Sequence, residues 1–337
     1  GVKALHLNTF GYYNTAIGSN AGYSNTDGDN NTAIGSFALL YNTTGSANTA
    51  SGYAAAYSNS TGFSNVAIGS GTLFRNETGS NLVAVGDSAL YNNDGGVPNT
   101  AVGSKSLFSN TTGDFNTAIG YLALNENTTG SYNTAVGQWA LLDNNTGFNN
   151  TATGYSALSN TISGSNNTAA GYFALNFNTT GNNNTAFGRT ALYSNTSGFS
   201  NVAIGMSALR DNQTLHNLVA VGDSALYNNN AGLGSNTAVG SKAGYSTTSG
   251  NNNSFYGYHA GTNNLTGGEN TATGYFALGY SSNGYNNTAN GVMALISNTS
   301  GNDNRAIGWR ASFLQSSSGN TALGSEAGSD QDNGNNN

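Results

Sequence analysis

The side chains best suited to general acid–base chemistry here are His6, His216 and His259, and they stand far apart, at different places in a repeating pattern. No carboxylate recurs at a fixed distance from any of them, so a Ser-His-Asp arrangement has no support. The chain contains no cysteine, which excludes a thiol nucleophile, a disulfide and a thiolate metal site. Asp27 and Asp29, and again Asp330 and Asp332 before Gly334, faintly resemble calcium loops. They lack the bidentate Glu and the remaining ligand spacing, and read as solvated turns. The sequence therefore predicts no enzyme, no metal and no cofactor.

The chemistry that does recur concerns surfaces. An N-x-S/T acceptor pattern begins at Asn42, Asn59, Asn76, Asn110, Asn127, Asn144, Asn178, Asn195, Asn212, Asn264 and Asn298. One edge of the molecule could carry a column of glycans there. The stronger reading is that these Asn and Thr residues make turn bonds and stack in ladders. A second recurring set is aromatic, represented by Tyr23, Tyr57, Tyr91, Tyr193 and Tyr227. Such stripes can stack on sugars or hold rods side by side, while the plainer reading is a ladder that stiffens the molecule.

What positions these residues is a period of 17. Gly18, Gly35, Gly52 and Gly69 begin a glycine series that runs to Gly324, broken by one step of 18 and one of 16. Counted from that glycine, the consensus is G-S/Y-x-A-L-x-x-N-T-T-G-x-x-N-T-A-I/V. A fixed short period is the signature of a solenoid, in which each repeat buries its apolar side against its neighbours. The expected fold is an all-β parallel β-solenoid (β-roll) of about twenty 17-residue coils, forming one continuous domain over residues 1–337. Residues 65–93 return with few changes as 201–229, an offset of eight coils, which indicates segment duplication. The one-residue gain near 231–235 and the loss near 316–319 both fall in the long turn, where insertions cost least.

Position 16 is Ala in eighteen of nineteen coils, Phe255 being the exception, and position 15 is Thr or its isostere Val in most. In a strand, positions 15 and 17 share one face and position 16 takes the other. Branched apolar residues on one face and compulsory Ala on the other imply that both are covered. One cover is the coil interior. The other is expected to be a second chain, approaching so closely at Ala16, Ala33, Ala67, Ala118 and Ala203 that only a methyl group fits. After the corner glycine, the Ala-Leu pair is expected to form a second short strand, and N-T-T-G the long turn, with its Gly left-handed.

Composition narrows the partners. With eight Lys and Arg against fifteen Asp and Glu, the net charge of -7 argues against nucleic acid and anionic membrane surfaces. No apolar run is long enough to span a bilayer. The chain opens in mid-register, as expected of a portion of a longer fibre.

NTAIG, NVAIG and NTAVG resemble the NSVAIG-type repeats in the head domains of trimeric autotransporter adhesins, and the full unit is similar to repeats of bacterial surface and phage tail-fibre-like proteins. The resemblance spans nearly every coil through a short motif. It implies left-handed parallel β-rolls, three chains to a head, that bind matrix proteins or cells. Those head repeats are commonly shorter, and the extra residues here lie in the N-T-T-G turn; the heptad stalk and membrane anchor have no counterpart. The expectation is a self-associating extracellular or cell-surface fibre or adhesin shaft, as a trimer or through end-to-end and lateral contacts, meeting host-cell, matrix or glycan surfaces. A phage tail-fibre shaft on the virion is the alternative. An ice-binding Thr face is weaker still, because the Thr-to-Val exchange at position 15 suits burial.

Overall fold

The computed structural model describes residues 1–95, 98–312 and 316–329. The fold is an all-β parallel solenoid, with one three-residue strand per coil and no helix among the described residues. Contacts group the chain into two compact units, Gly1–Asn166 and Asn167–Asn337. The first holds nine strands, from β1 (Thr15–Ile17) to β9 (Thr151–Thr153). The second holds ten, from β10 (Thr168–Ala170) to β19 (Thr321–Leu323). Within each unit every strand pairs in parallel with the next in sequence, in strict register: Thr15 faces Thr32, Ala16 faces Ala33 and Ile17 faces Ile34. The extra residue near 231–235 leaves that register intact, since Val219 still pairs with Thr237 and Ala220 with Ala238.

The core is a narrow column inside the coils. Position 16 supplies one wall, with Ala67, Ala118 and Ala203 fully buried. Positions 4 and 5 supply the facing wall, as in Ala123 and Leu124, both also fully buried. Two consecutive inward side chains are incompatible with a strand, whose residues alternate between faces. The segment after the corner glycine is accordingly a run of turns, and the second strand expected from the sequence is absent. Its backbone visits the left-handed region at positions 3 and 5, with φ of 57° at Leu122 and 52° at Leu124. A left-handed non-glycine costs roughly 1–2 kcal/mol. Burying the Leu side chain returns about 2 kcal/mol, and the Leu124 N–H also bonds the Ala140 carbonyl of the next coil at 3.0 Å.

Glycine at position 1 answers two demands together. Gly103 has φ +135°, and a Cβ there would stand 2.4 Å from the carbonyl oxygen of Gly120 in the next coil. Glycine at position 11 answers only the second. At Gly45 a Cβ would lie 2.3 Å from the Gly62 oxygen and 2.4 Å from Asn42 Oδ1, although its φ is not left-handed. The left-handed residue of that turn is instead position 13, as at Ala47 with φ 58°.

Two ladders of buried asparagine join the coils. At position 8, Asn127 Nδ2 donates to Asn110 Oδ1 at 2.8 Å and to the Gly130 carbonyl at 3.0 Å. At position 14, Asn48 Nδ2 donates to the Gly62 carbonyl at 2.8 Å, and its backbone N–H donates to Asn31 Oδ1 at 3.0 Å. A buried amide left unbonded costs about 1–3 kcal/mol, so a coil that carries these asparagines depends on those of its neighbours to satisfy them.

Candidate binding surfaces

The strand faces lie opposite to the sequence expectation. Ala33, Ala67, Ala118 and Ala203 point into the coil's own interior and cannot meet a partner; Ala16, in the first strand, is half-buried on that same side. The physical reason for alanine is the facing Leu of position 5, which leaves room for only a methyl group across the column. Positions 15 and 17 face outward instead. Ile34, Ile68 and Ile119 are each about 40% exposed in the first unit, as are Phe187 and Ile204 in the second. Between them run half-exposed Thr and Val, including Val66, Val83, Val202 and Val219. Each unit therefore presents a strip of branched apolar side chains on in-register strands.

The acceptor asparagines are also placed differently from the glycan expectation. Asn42 and Asn59, Asn76 and Asn110, Asn127 and Asn144, Asn178 and Asn195, and Asn212, Asn264 and Asn298 are all at most 1% exposed. Their Nδ2 atoms, where a glycan would be attached, are committed to the position 8 ladder or to the turn carbonyl; Asn298 donates to Gly301 at 2.9 Å. The folded coil has no room for a sugar there. The pattern arises because position 8 needs an amide and the exposed turn residues after it are Thr and Ser.

The aromatic column at position 6 forms a stack. Tyr57 and Phe74 lie 4.7 Å apart at 5°, Phe74 and Tyr91 4.9 Å apart at 2°, and Tyr91 and Phe108 5.2 Å apart at 19°. These rings spend their faces on one another and offer their edges outward. In the second unit Arg210 sits between Tyr193 and Tyr227, its guanidinium carbon 5.5 and 5.4 Å from the two ring centroids. Tyr227 then stacks on Tyr245 at 5.1 Å. Tyr23 stacks on His6 at 5.2 Å, with the Lys3 ammonium 5.9 Å from its ring.

No family model matches the chain, and no curated protein matches it. Its surfaces therefore have to be read from their own chemistry. His6, His216 and His259 lie in separate coils, stacked on Tyr23, Phe199 and Phe276 respectively. His259 is held below the usual imidazole range by burial and by the nearby Lys242. Asp29 Oδ1 accepts the Tyr12 N–H of the preceding coil at 2.7 Å, and Asp27 Oδ2 accepts the hydroxyl of the adjacent Thr26 at 2.9 Å. Asp330, Asp332 and the position 6 residue Phe313 lie outside the described residues. Among the described residues no helix is long and apolar enough to cross a membrane.

Two grooves between the position 3 column and the position 6 and 7 columns escaped the sequence reading. One, in the first unit, holds about 240 Å³ between Lys3, Tyr23, Phe37 and Tyr41. The other, in the second unit, holds about 490 Å³ between Lys242, Tyr245, His259, Thr262, Phe276 and Tyr280. The sequence does carry a signal for them. All three lysines, Lys3, Lys105 and Lys242, occupy position 3, and two of these three line the grooves.

Proposed function

We propose that the chain is a structural fibre or shaft element that associates with copies of itself through the outward face of positions 15 and 17. One observation carries the reading: the strip of exposed Ile and Val on strands whose opposite face is already filled by the chain itself. An isolated chain would leave that strip in water, at a cost of about 25 cal/mol per Å², and repetition makes it complementary to another copy in register. Rigidity comes from the backbone and asparagine ladders. The repeat shows the same surface many times, which favours multivalent contact with a cell, matrix or virion partner. A trimer in an extracellular or cell-surface setting fits the resemblance to adhesin-head repeats. Sedimentation equilibrium of the whole chain tests the reading. The wild type should sediment as an oligomer, and Ile34→Lys/Ile68→Lys/Ile119→Lys as a folded monomer. A monomeric wild type would refute self-association by this face.

A further inference from the structure

The two grooves share more than their place beside the position 3 column. In the first, Lys3 is followed by Phe37 after 34 residues and by Tyr41 after 38; in the second, Lys242 is followed by Phe276 and Tyr280 at the same separations. Each groove thus combines a lysine, a phenylalanine two coils on, and a tyrosine in that phenylalanine's coil. The duplicated segments at 65–93 and 201–229 are offset by eight coils, so that duplication does not account for a pair of grooves fourteen coils apart.

Each groove has one source of positive charge. Among the described residues neither Lys3 nor Lys242 has a carboxylate partner, the single ion pair being Arg210 with Asp211. In a chain of net charge -7 with only eight Lys and Arg, an ammonium without a counter-ion beside aromatic rings is a specific feature. Its natural complement is one negative charge on a partly apolar ligand.

The larger groove also keeps an aromatic face open. The stack that runs from Tyr193 through Arg210 and Tyr227 stops at Tyr245, because position 6 of the next coil is Thr262 and of the one after it Gly279. One face of Tyr245 is covered by Tyr227, and the other borders the groove. Phe276, lying flat against His259 at 4.6 Å, closes the far side; the Thr262 hydroxyl is buried and bonded to His259 Nδ1 at 3.2 Å, which leaves the Asn263 side-chain amide as the polar partner on the lining. A ring with an apolar C–H face, hydroxyls around its edge and one carboxylate matches these three elements. We propose that the two grooves bind acidic saccharides, the uronate carboxylate meeting Lys3 or Lys242 and the pyranose packing against the aromatic walls. This site is distinct from the face of positions 15 and 17, and the proposal holds whether or not the chain self-associates.

The test is calorimetric titration of the whole chain with trigalacturonic acid and with its neutral methyl ester. Two sites per chain are expected for the acid, with binding to the ester weaker by about tenfold or more. Lys242→Met should remove one site and leave the other, and Lys3→Met/Lys242→Met should remove both. Methionine already occupies position 3 at Met293 with φ 57°, so the coil accepts it. Phe276→Ser, with serine native to that column at Ser224, should weaken the second site and leave the first unchanged in a chain that still melts cooperatively. Equal binding of acid and ester, unchanged stoichiometry in the lysine variants, or no binding of the acid to a chain that melts normally would each overturn the proposal.

Discussion

The ring of Phe255 occupies the space that a side chain at Gly261 would need: a Cβ there would lie 2.5 Å from the ring. Phe255 is the one non-alanine at position 16, and it is completely buried. The two coils whose position 5 residues flank it carry Gly244 and Gly261 where most coils have Leu. Volume has moved from one wall of the core to the other. Phe255→Ala alone should lower the unfolding free energy by about 3–5 kcal/mol. Adding Gly261→Leu restores the Ala-and-Leu pairing of other coils and should recover much of that loss in denaturant titrations. No recovery would mean that the ring and the glycine are not coupled.

The position 8 ladder has a gap at Thr161. Asn144 Oδ1 and Thr161 Oγ1 are both buried, and the described residues offer neither a hydrogen-bond partner. Thr161→Asn would extend the ladder and let its amide donate to Asn144. Thermal melts should show a gain of about 1 kcal/mol. The reverse change at an intact rung, Asn127→Ala, should cost about 1–3 kcal/mol by stranding Asn110 and Asn144.

The glycines divide into those the fold demands and those it tolerates. Gly103→Ala drives a Cβ into the Gly120 carbonyl at a φ that L-residues avoid, and should cost at least about 3 kcal/mol. Gly71 at position 3 has φ +63° and its nearest neighbour atom 3.6 Å from an added Cβ. Gly71→Ser should therefore stay within about 0.5 kcal/mol of wild type, as serine is native to that column at Ser88 with φ 56°.

Asp143 gives stability a pH dependence of defined sign. Burial, and then the charge of Glu126 one coil earlier, raise its carboxyl above the ordinary Asp range. The folded chain therefore holds a proton that the unfolded chain has already released. Stability from this group is fully present below the unfolded Asp pKa and declines as pH rises through the folded value. Asp143→Asn should raise the thermal midpoint at neutral pH and leave it nearly unchanged at pH well below the unfolded Asp range. Equal shifts at both pH values would assign the effect to packing.

Much of the fold was legible because the glycine series of period 17 and the Thr-Ala-Ile triplets report directly on stacking, and the strands lie on those triplets in register. The orientation of the strand is the reverse of the sequence expectation. Thr-to-Val exchange at position 15 suggested burial and Ala16 a close partner, because periodicity assigns side chains to two faces without saying which is inside. The Ala-Leu segment misled for a different reason. Leucine has no propensity for a left-handed backbone, and Leu124 holds φ 52° only because core burial and the bond to Ala140 outweigh the strain. The acceptor asparagines illustrate the same limit, since a short motif shows residue types and not the burial that closes Asn127 to modification. The ladder reading favoured for them from composition matches their placement. The grooves are not legible as a motif because their residues come from different coils, and only the stacking brings Lys242 and Phe276, two coils apart, to one opening.

The position 8 ladder also has a direction. From Asn25 to Asn144 each side-chain amide donates to the coil before it, as Asn42 does to Asn25, Asn59 to Asn42 and Asn144 to Asn127. Their dipoles point the same way, and hydrogen-bonded amides in a chain polarise one another. A coil on the C-terminal side meets a side-chain oxygen, whereas one on the N-terminal side meets an Nδ2 that also donates to the glycine carbonyl of its own turn, as Asn42 does to Gly45. The two ends of the first unit's ladder therefore differ chemically: Asn144 Oδ1 is a buried acceptor with no partner among the described residues, while Asn8 Nδ2 already donates to the Gly11 carbonyl.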